Sequence, residues 1–160
     1  MAMGFASKPF ASSELMTPTS ISWSRGFCFC GDGYSMIGLF LVGVGGFIGS
    51  VMRYLVSGWV HRILDNPWFP YGTLVVNITG SLTIGFLAGL AENRSVFTPE
   101  ARLFIFIGIL GGFTTFSSFS LETFSLVRNT QTLAAIANMA SQLILGLLAV
   151  WAGNLLARLI

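Results

Sequence analysis

From Gly111 to Glu122 the chain reads Gly-Gly-Phe-Thr-Thr-Phe-Ser-Ser-Phe-Ser-Leu-Glu, a run of hydroxyls, rings and one carboxylate set inside an apolar segment. In lipid an unsatisfied polar group costs several kcal/mol, so such a run persists only where it faces protein or a wet cavity. Its chemistry suits ions. Backbone carbonyls released at a break can hold a cation, and hydroxyls can replace the water around an ion. Phe116 and Phe119 stand three residues apart and so share a helix face. An aromatic edge carries partial positive charge, so two edges among hydroxyls suit a small anion without presenting a full charge. The same small polar residues also serve as a helix–helix packing seam, and from this run alone both readings stand.

Other polar residues lie within apolar stretches. Asn77, one turn after Thr73, either lines a vestibule or bonds across a helix interface. Asn138 and Gln142 are four apart, with Ser141 beside them, and make a possible polar track on one helix face. Glu122, the one carboxylate well away from a loop, either functions or caps the local break. Arg53 is expected to close the first span, where it either snorkels or draws anions to an entrance. His61 is expected in a solvated loop.

The elements that must position these residues are membrane helices. Hydrophobic residues make up 54% of the chain and charged residues 9%, against about 25% charged in soluble domains. Four spans are expected, at about Met36–Gly58, Gly72–Ala91, Ala101–Val127 with a break at Gly111-Gly112, and Leu133–Ala157, each near the roughly 20 apolar residues a bilayer requires. Asp65-Asn66-Pro67, Glu92-Asn93-Arg94-Ser95 and Arg128-Asn129-Thr130 supply turn chemistry between them. Thr98 before Pro99 predicts an N-cap followed by a first-turn proline. The fold class is therefore all-α and integral to a membrane, with a four-span domain over residues 36–160.

Residues 1–35 are polar and rich in Ser, Gly and Phe, and are expected to be a disordered tail or an over-extended start before Met36; a targeting segment is the other reading. Cys28 and Cys30 lack a nearby histidine to complete a zinc site. Stripes of small residues, such as Gly45/Gly49, Ser81/Gly85/Gly89, Gly108/Gly112 and Ala149/Gly153/Ala157, predict close helix packing, within one chain or across a dimer. Arginines divide evenly, with Arg94, Arg102 and Arg158 on one side and Arg53, Arg62 and Arg128 on the other. That balance permits insertion in both orientations; the alternative is a weak bias set by Lys8 and Arg25 in the tail. A net charge of +2 without a basic run gives no case for nucleic acid. No nucleotide loop, nucleophile elbow or zinc-protease motif is present, so the chain is not expected to be an enzyme.

Three ordered motifs then resemble one family. Gly46-Phe-Ile-Gly49-Ser-Val-Met-Arg53-Tyr54, Gly72-Thr-Leu-Val-Val-Asn77-Ile-Thr-Gly80 and the Gly111–Glu122 run are similar to the fluoride ion channels called Fluc or CrcB, over about residues 36–158. The resemblance implies passive fluoride export across the cell (inner) membrane, relieving fluoride toxicity. It implies an antiparallel, dual-topology homodimer with two pores and a central structural sodium ion. Sodium would be held by main-chain carbonyls at Gly111 and Thr114. Phe116 and Phe119 would contact fluoride, Ser117 and Ser118 would add pore hydroxyls, and Asn77 would line the vestibule. The last span departs from the family in lacking a tyrosine. Alternatives are a small multidrug-type proton-coupled exporter, which needs a carboxylate that the first span lacks, and a non-transporting membrane scaffold.

Overall fold

The computed structural model describes residues 35–64, 69–94 and 97–160. The tail expected over residues 1–35, with both cysteines, lies outside the described residues except for Ser35.

Every described element is helical: α1 (Met36–Leu64), α2 (Tyr71–Arg94), α3 (Pro99–Arg102), a π-helical stretch (Leu103–Leu110), α4 (Gly111–Phe113), α5 (Phe116–Arg128) and α6 (Thr132–Arg158). α3 through α5 form one interrupted span, so the described residues hold four helices long and apolar enough to cross a bilayer. At α1 the Ser35 hydroxyl accepts the Gly38 amide at 2.9 Å, an N-terminal cap. Thr98 caps α3 as expected, accepting the Ala101 amide at 3.3 Å ahead of Pro99. α5 closes with the Gln131 amide on the Leu126 carbonyl at 2.9 Å and Thr130 at φ 58°. That left-handed position usually falls to glycine, because a β-branched side chain crowds the backbone there.

The small-residue stripes are used within the chain. A Cβ at Gly45 would lie 2.7 Å from the Phe104 carbonyl oxygen, and one at Gly49 2.8 Å from the Phe113 amide nitrogen, so α1 lies backbone to backbone against the third span. α2 and α6 pack in the same way. A Cβ at Gly153 would strike the Leu82 carbonyl and stand 2.7 Å from the Phe86 nitrogen, and one at Gly89 would stand 2.7 Å from Ala157 Cβ. The π-helical stretch runs along α1 at the Gly45–Gly108 contact, where a Cβ on Gly108 would stand 2.9 Å from Gly45 Cα.

Three expectations are corrected. The third span does not break at Gly111-Gly112, which stay helical in α4; it breaks at Thr114 (ψ 157°) and Thr115 (φ −149°). Glycine at 112 serves contact instead, since a Cβ there would lie 2.6 Å from the Gly46 carbonyl oxygen. α1 continues beyond Gly58 to Leu64, carrying His61 on its last turns and not in a loop. Arg53 consequently sits inside α1, about 16 Å before its end at 1.5 Å per residue. Removing it from the end charges leaves Arg62 and Arg128 facing Arg94, Arg102 and Arg158, two against three.

Candidate functional site

The break at Thr114–Thr115 builds the site. Thr115 accepts the Ser118 amide on its own hydroxyl at 3.3 Å and so starts α5 as its N-cap. Its backbone is fixed from α2: Asn77 Oδ1 accepts the Thr115 amide at 2.9 Å while Asn77 Nδ2 donates to the Thr115 carbonyl at 3.1 Å. One carboxamide thus satisfies both polar groups of the interrupted residue, which in a membrane would otherwise be costly orphans. Asn77 Nδ2 also reaches Gln142 Oε1 on α6 at 3.1 Å. The asparagine thus bonds across the helix interface, and it also borders a cavity of about 350 Å³ together with Gly111, Thr114 and Phe116.

A second cavity, of about 450 Å³, lies on the other side of Thr115, between α1, α2 and α5. Arg53, Thr73, Ser118 and Glu122 border it, and Thr115 borders both cavities. Arg53 Nη1 donates to the Thr114 carbonyl at 3.4 Å. Glu122 does not cap the break, since Thr115 does; its Oε1 accepts the Thr73 hydroxyl at 2.6 Å and its Oε2 is buried without a partner.

The rings of Phe116 and Phe119 lie 5.5 Å apart at 58°, a tilted pair. Phe116 is 78% exposed in the single chain, whereas Phe119 is half-buried. Ser117 Oγ stands 3.3 Å and Ser118 Oγ 3.1 Å from Thr115 Oγ1, so the hydroxyls after the break form one cluster.

The three polar residues of α6 make different contacts. Gln142 faces Asn77, with its Nε2 buried and unpaired. Asn138 is fully buried and donates to Thr123 Oγ1 at 2.9 Å, leaving Oδ1 without a partner. Ser141 turns back on its own helix, donating to the Asn138 carbonyl at 3.1 Å. Sequence reasoning missed Thr115, Thr73 and Thr123 as members of this polar seam; Thr115 and Ser118 at N-cap spacing were the available signal for the first.

The break can also be tested against the sodium ion that the resemblance implies. In an unbroken helix the Gly111 and Thr114 carbonyls would accept the amides of Thr115 and Ser118. Those amides go instead to Asn77 Oδ1 and Thr115 Oγ1. The two carbonyls are thereby freed from the helical ladder, and oxygen donors of this kind suit a hard cation. The Arg53 contact occupies one lone pair of the Thr114 oxygen and leaves the other. The donor set fits.

Comparison with known proteins agrees with the three motifs. Residues 40–154 match the family described as CrcB-like protein, Camphor Resistance (CrcB). The chain is 52% identical over 124 residues to a protein of Agrobacterium fabrum named fluoride-specific ion channel FluC, covering 77% of this chain and 98% of that one. It is 47% identical over 120 residues to the protein of that name from Rhizobium meliloti, covering 75% and 95%. It is 42% identical over 122 residues to fluoride-specific ion channel FluC 1 of Methanosarcina acetivorans, covering 76% and 92%. With the match reaching into all four membrane-length helices and covering the break in the third, the chain belongs to the CrcB-like protein family.

Proposed function

We propose that this chain is a fluoride channel subunit, not an enzyme, and that it lets fluoride leave the cell down its gradient. The names of its relatives support the ion. The observation that carries the residue assignments is the break at Thr114–Thr115, which gathers ring edges, hydroxyls and carboxamide N–H groups without a lysine. Fluoride is small and holds its water tightly, so a selective path must replace hydration with close donors yet release the ion again. Phe116 and Phe119 offer edges and Ser117 and Ser118 hydroxyls, while Asn77 lines the vestibule with both Nδ2 hydrogens already engaged by Thr115 and Gln142. Of the three residues with a buried unpaired atom, Gln142 suits the anion best, because its atom is a donor; those of Asn138 and Glu122 are acceptors. Arg53, inside α1 and bordering the 450 Å³ cavity beside the break, attracts the anion by charge.

A structural sodium ion and a second copy complete the reading. Two carbonyls from one chain do not enclose a cation by themselves, and an antiparallel copy would supply a matching pair from its own Gly111 and Thr114, four oxygens of the kind a hard cation takes. Near-balanced arginines are compatible with insertion in both orientations. The sodium would contribute charge neutralisation of the converging carbonyls. Fluoride efflux from liposomes holding the purified protein, with chloride as control, tests the function: fluoride should leave and chloride should not, and equal rates for both anions would refute a fluoride-selective path. Labelling a cysteine placed in the second loop from one side should reach about half of the molecules if orientation is dual.

A further inference from the structure

The 450 Å³ cavity holds a residue that the fluoride path does not use. His61 borders it, about two helical turns beyond Arg53 on α1, with Ser57 between them. Residues 53, 57 and 61 run along one stripe of the helix. Gly72, in the first turn of α2, is what lets this stripe reach inward. A Cβ there would collide with Ser57 Oγ and stand 2.8 Å from His61 Nε2, so hydroxyl and ring nitrogen occupy the room an ordinary side chain would take. The N-terminus of α2, whose aligned peptides carry partial positive charge, begins beside the imidazole.

We propose that His61, with Ser57 and Arg53, forms an outer anion station at the mouth of this cavity, and that protonation of its imidazole increases fluoride entry. The inference rests on the fluoride reading above. Imidazole is the side chain whose charge ordinarily changes between about pH 5 and 8. When protonated it adds a second cation to that of Arg53 along the approach. A unit charge about 7 Å from an anion in a water-like medium changes its local concentration about threefold. The ionisable groups facing the ring are Arg53 and Tyr54 from α1 and Glu122 from α5; the α2 residues bordering the cavity, Thr73 and Val76, carry none. Protonating Glu122 would act in the same direction by removing a repelling charge, so the two sources need separate variants. A rise in flux with acidity matches the chemistry of the substrate, because hydrogen fluoride crosses a bilayer as a neutral acid and dissociates inside.

The full chain in liposomes, buffered alike inside and outside at about pH 6 and about pH 8, provides the test, with leak through protein-free vesicles subtracted. The parent should pass fluoride about threefold faster at the lower pH, and added impermeant salt should shrink that ratio by screening. His61→Gln should show a flat profile, and His61→Arg a flat profile at a higher rate. A His61→Gln protein that keeps the parent's ratio overturns the station, as does a ratio abolished by Glu122→Gln but not by His61→Gln. A parent that conducts with no pH ratio overturns this inference alone. A parent that moves no fluoride at either pH overturns the fluoride reading and the station with it.

Discussion

α2 and α6 meet twice, in opposite ways. Toward one end Gly85, Gly89 and Gly153 bring the two backbones together, and nothing larger than hydrogen fits between them. Toward the other, Asn77 faces Gln142, Asn138 lies fully buried against Thr123, and Glu122 of α5 stands beside Thr73. Three buried atoms there have no partner. Backbone contact in the first region gains dispersion. The second keeps polar capacity in reserve, which costs stability in a membrane and is useful only if something polar visits. One pair of helices is thus a seal at one end and a wet wall at the other.

Breaking the seal should have the largest effect. Gly153→Val would push against the Leu82 carbonyl and the Phe86 nitrogen, which are backbone and cannot swing aside. It should destabilise the protein by about 3 kcal/mol or more, read as loss of the monodisperse peak in size-exclusion chromatography. A variant that folds normally would show that the glycine contact is dispensable.

Next comes the ring pair on the wet side. Phe116→Ile and Phe119→Ile keep bulk but remove the edge. An edge contact worth about 1.4 kcal/mol corresponds to about tenfold, so fluoride efflux should fall about tenfold or more for each, with the protein still folded. Leu121→Ile, nearby and without an assigned role, should conduct like the parent. Unchanged efflux in both ring variants would reduce the phenylalanines to packing.

Within the wet side, Gln142 and Asn138 can be set against each other. Gln142→Leu removes an unpaired donor and should lower efflux about fivefold, corresponding to about 1 kcal/mol. Asn138→Leu removes an unpaired acceptor while Thr123 keeps its bond to the Phe119 carbonyl at 2.8 Å; it should leave efflux within about twofold and stability unchanged or higher. The reverse order would move the path from Gln142 to Asn138.

The smallest effect is expected outside both regions. Thr130→Gly relieves a β-branched residue at φ 58°, a gain of about 1–2 kcal/mol partly offset by about 0.5–1 kcal/mol of glycine entropy. A slightly raised Tm with unaltered efflux would separate stability from conduction. Lowered efflux would tie the α5–α6 turn to the path.

The four spans were legible because hydropathy and length suffice to place them, and Thr98-Pro99 marked a helix start to the residue. The break lies about three residues beyond the glycine pair that suggested it. Gly111-Gly112 looks like a breaker in water, but between membrane helices glycine is a contact residue, and the true break needed a hydroxyl at 115 to cap α5. His61 reads as a loop residue if the first span ends at Gly58, yet Trp59, Val60, Ile63 and Leu64 continue the apolar pattern up to the Asp65-Asn66-Pro67 turn. Which polar residues would meet was not legible. Asn77 reaches Thr115 across 38 positions and Gln142 across 65, and nothing in local spacing encodes that.

The pairing of Asn77 with Thr115 also bears on motion. A side chain that takes both the N–H and the C=O of one residue behaves like a rung borrowed from a β-ladder, and it splints the interruption against α2. A gap in a helix is ordinarily the natural place for a hinge. Here bending would have to break two hydrogen bonds at once or drag α2 along, and α2 is itself fastened to α6 through glycine contacts. Conduction through such a site would rely on the ion shedding and regaining its water along fixed walls, with the side chains and not the helices supplying the movement.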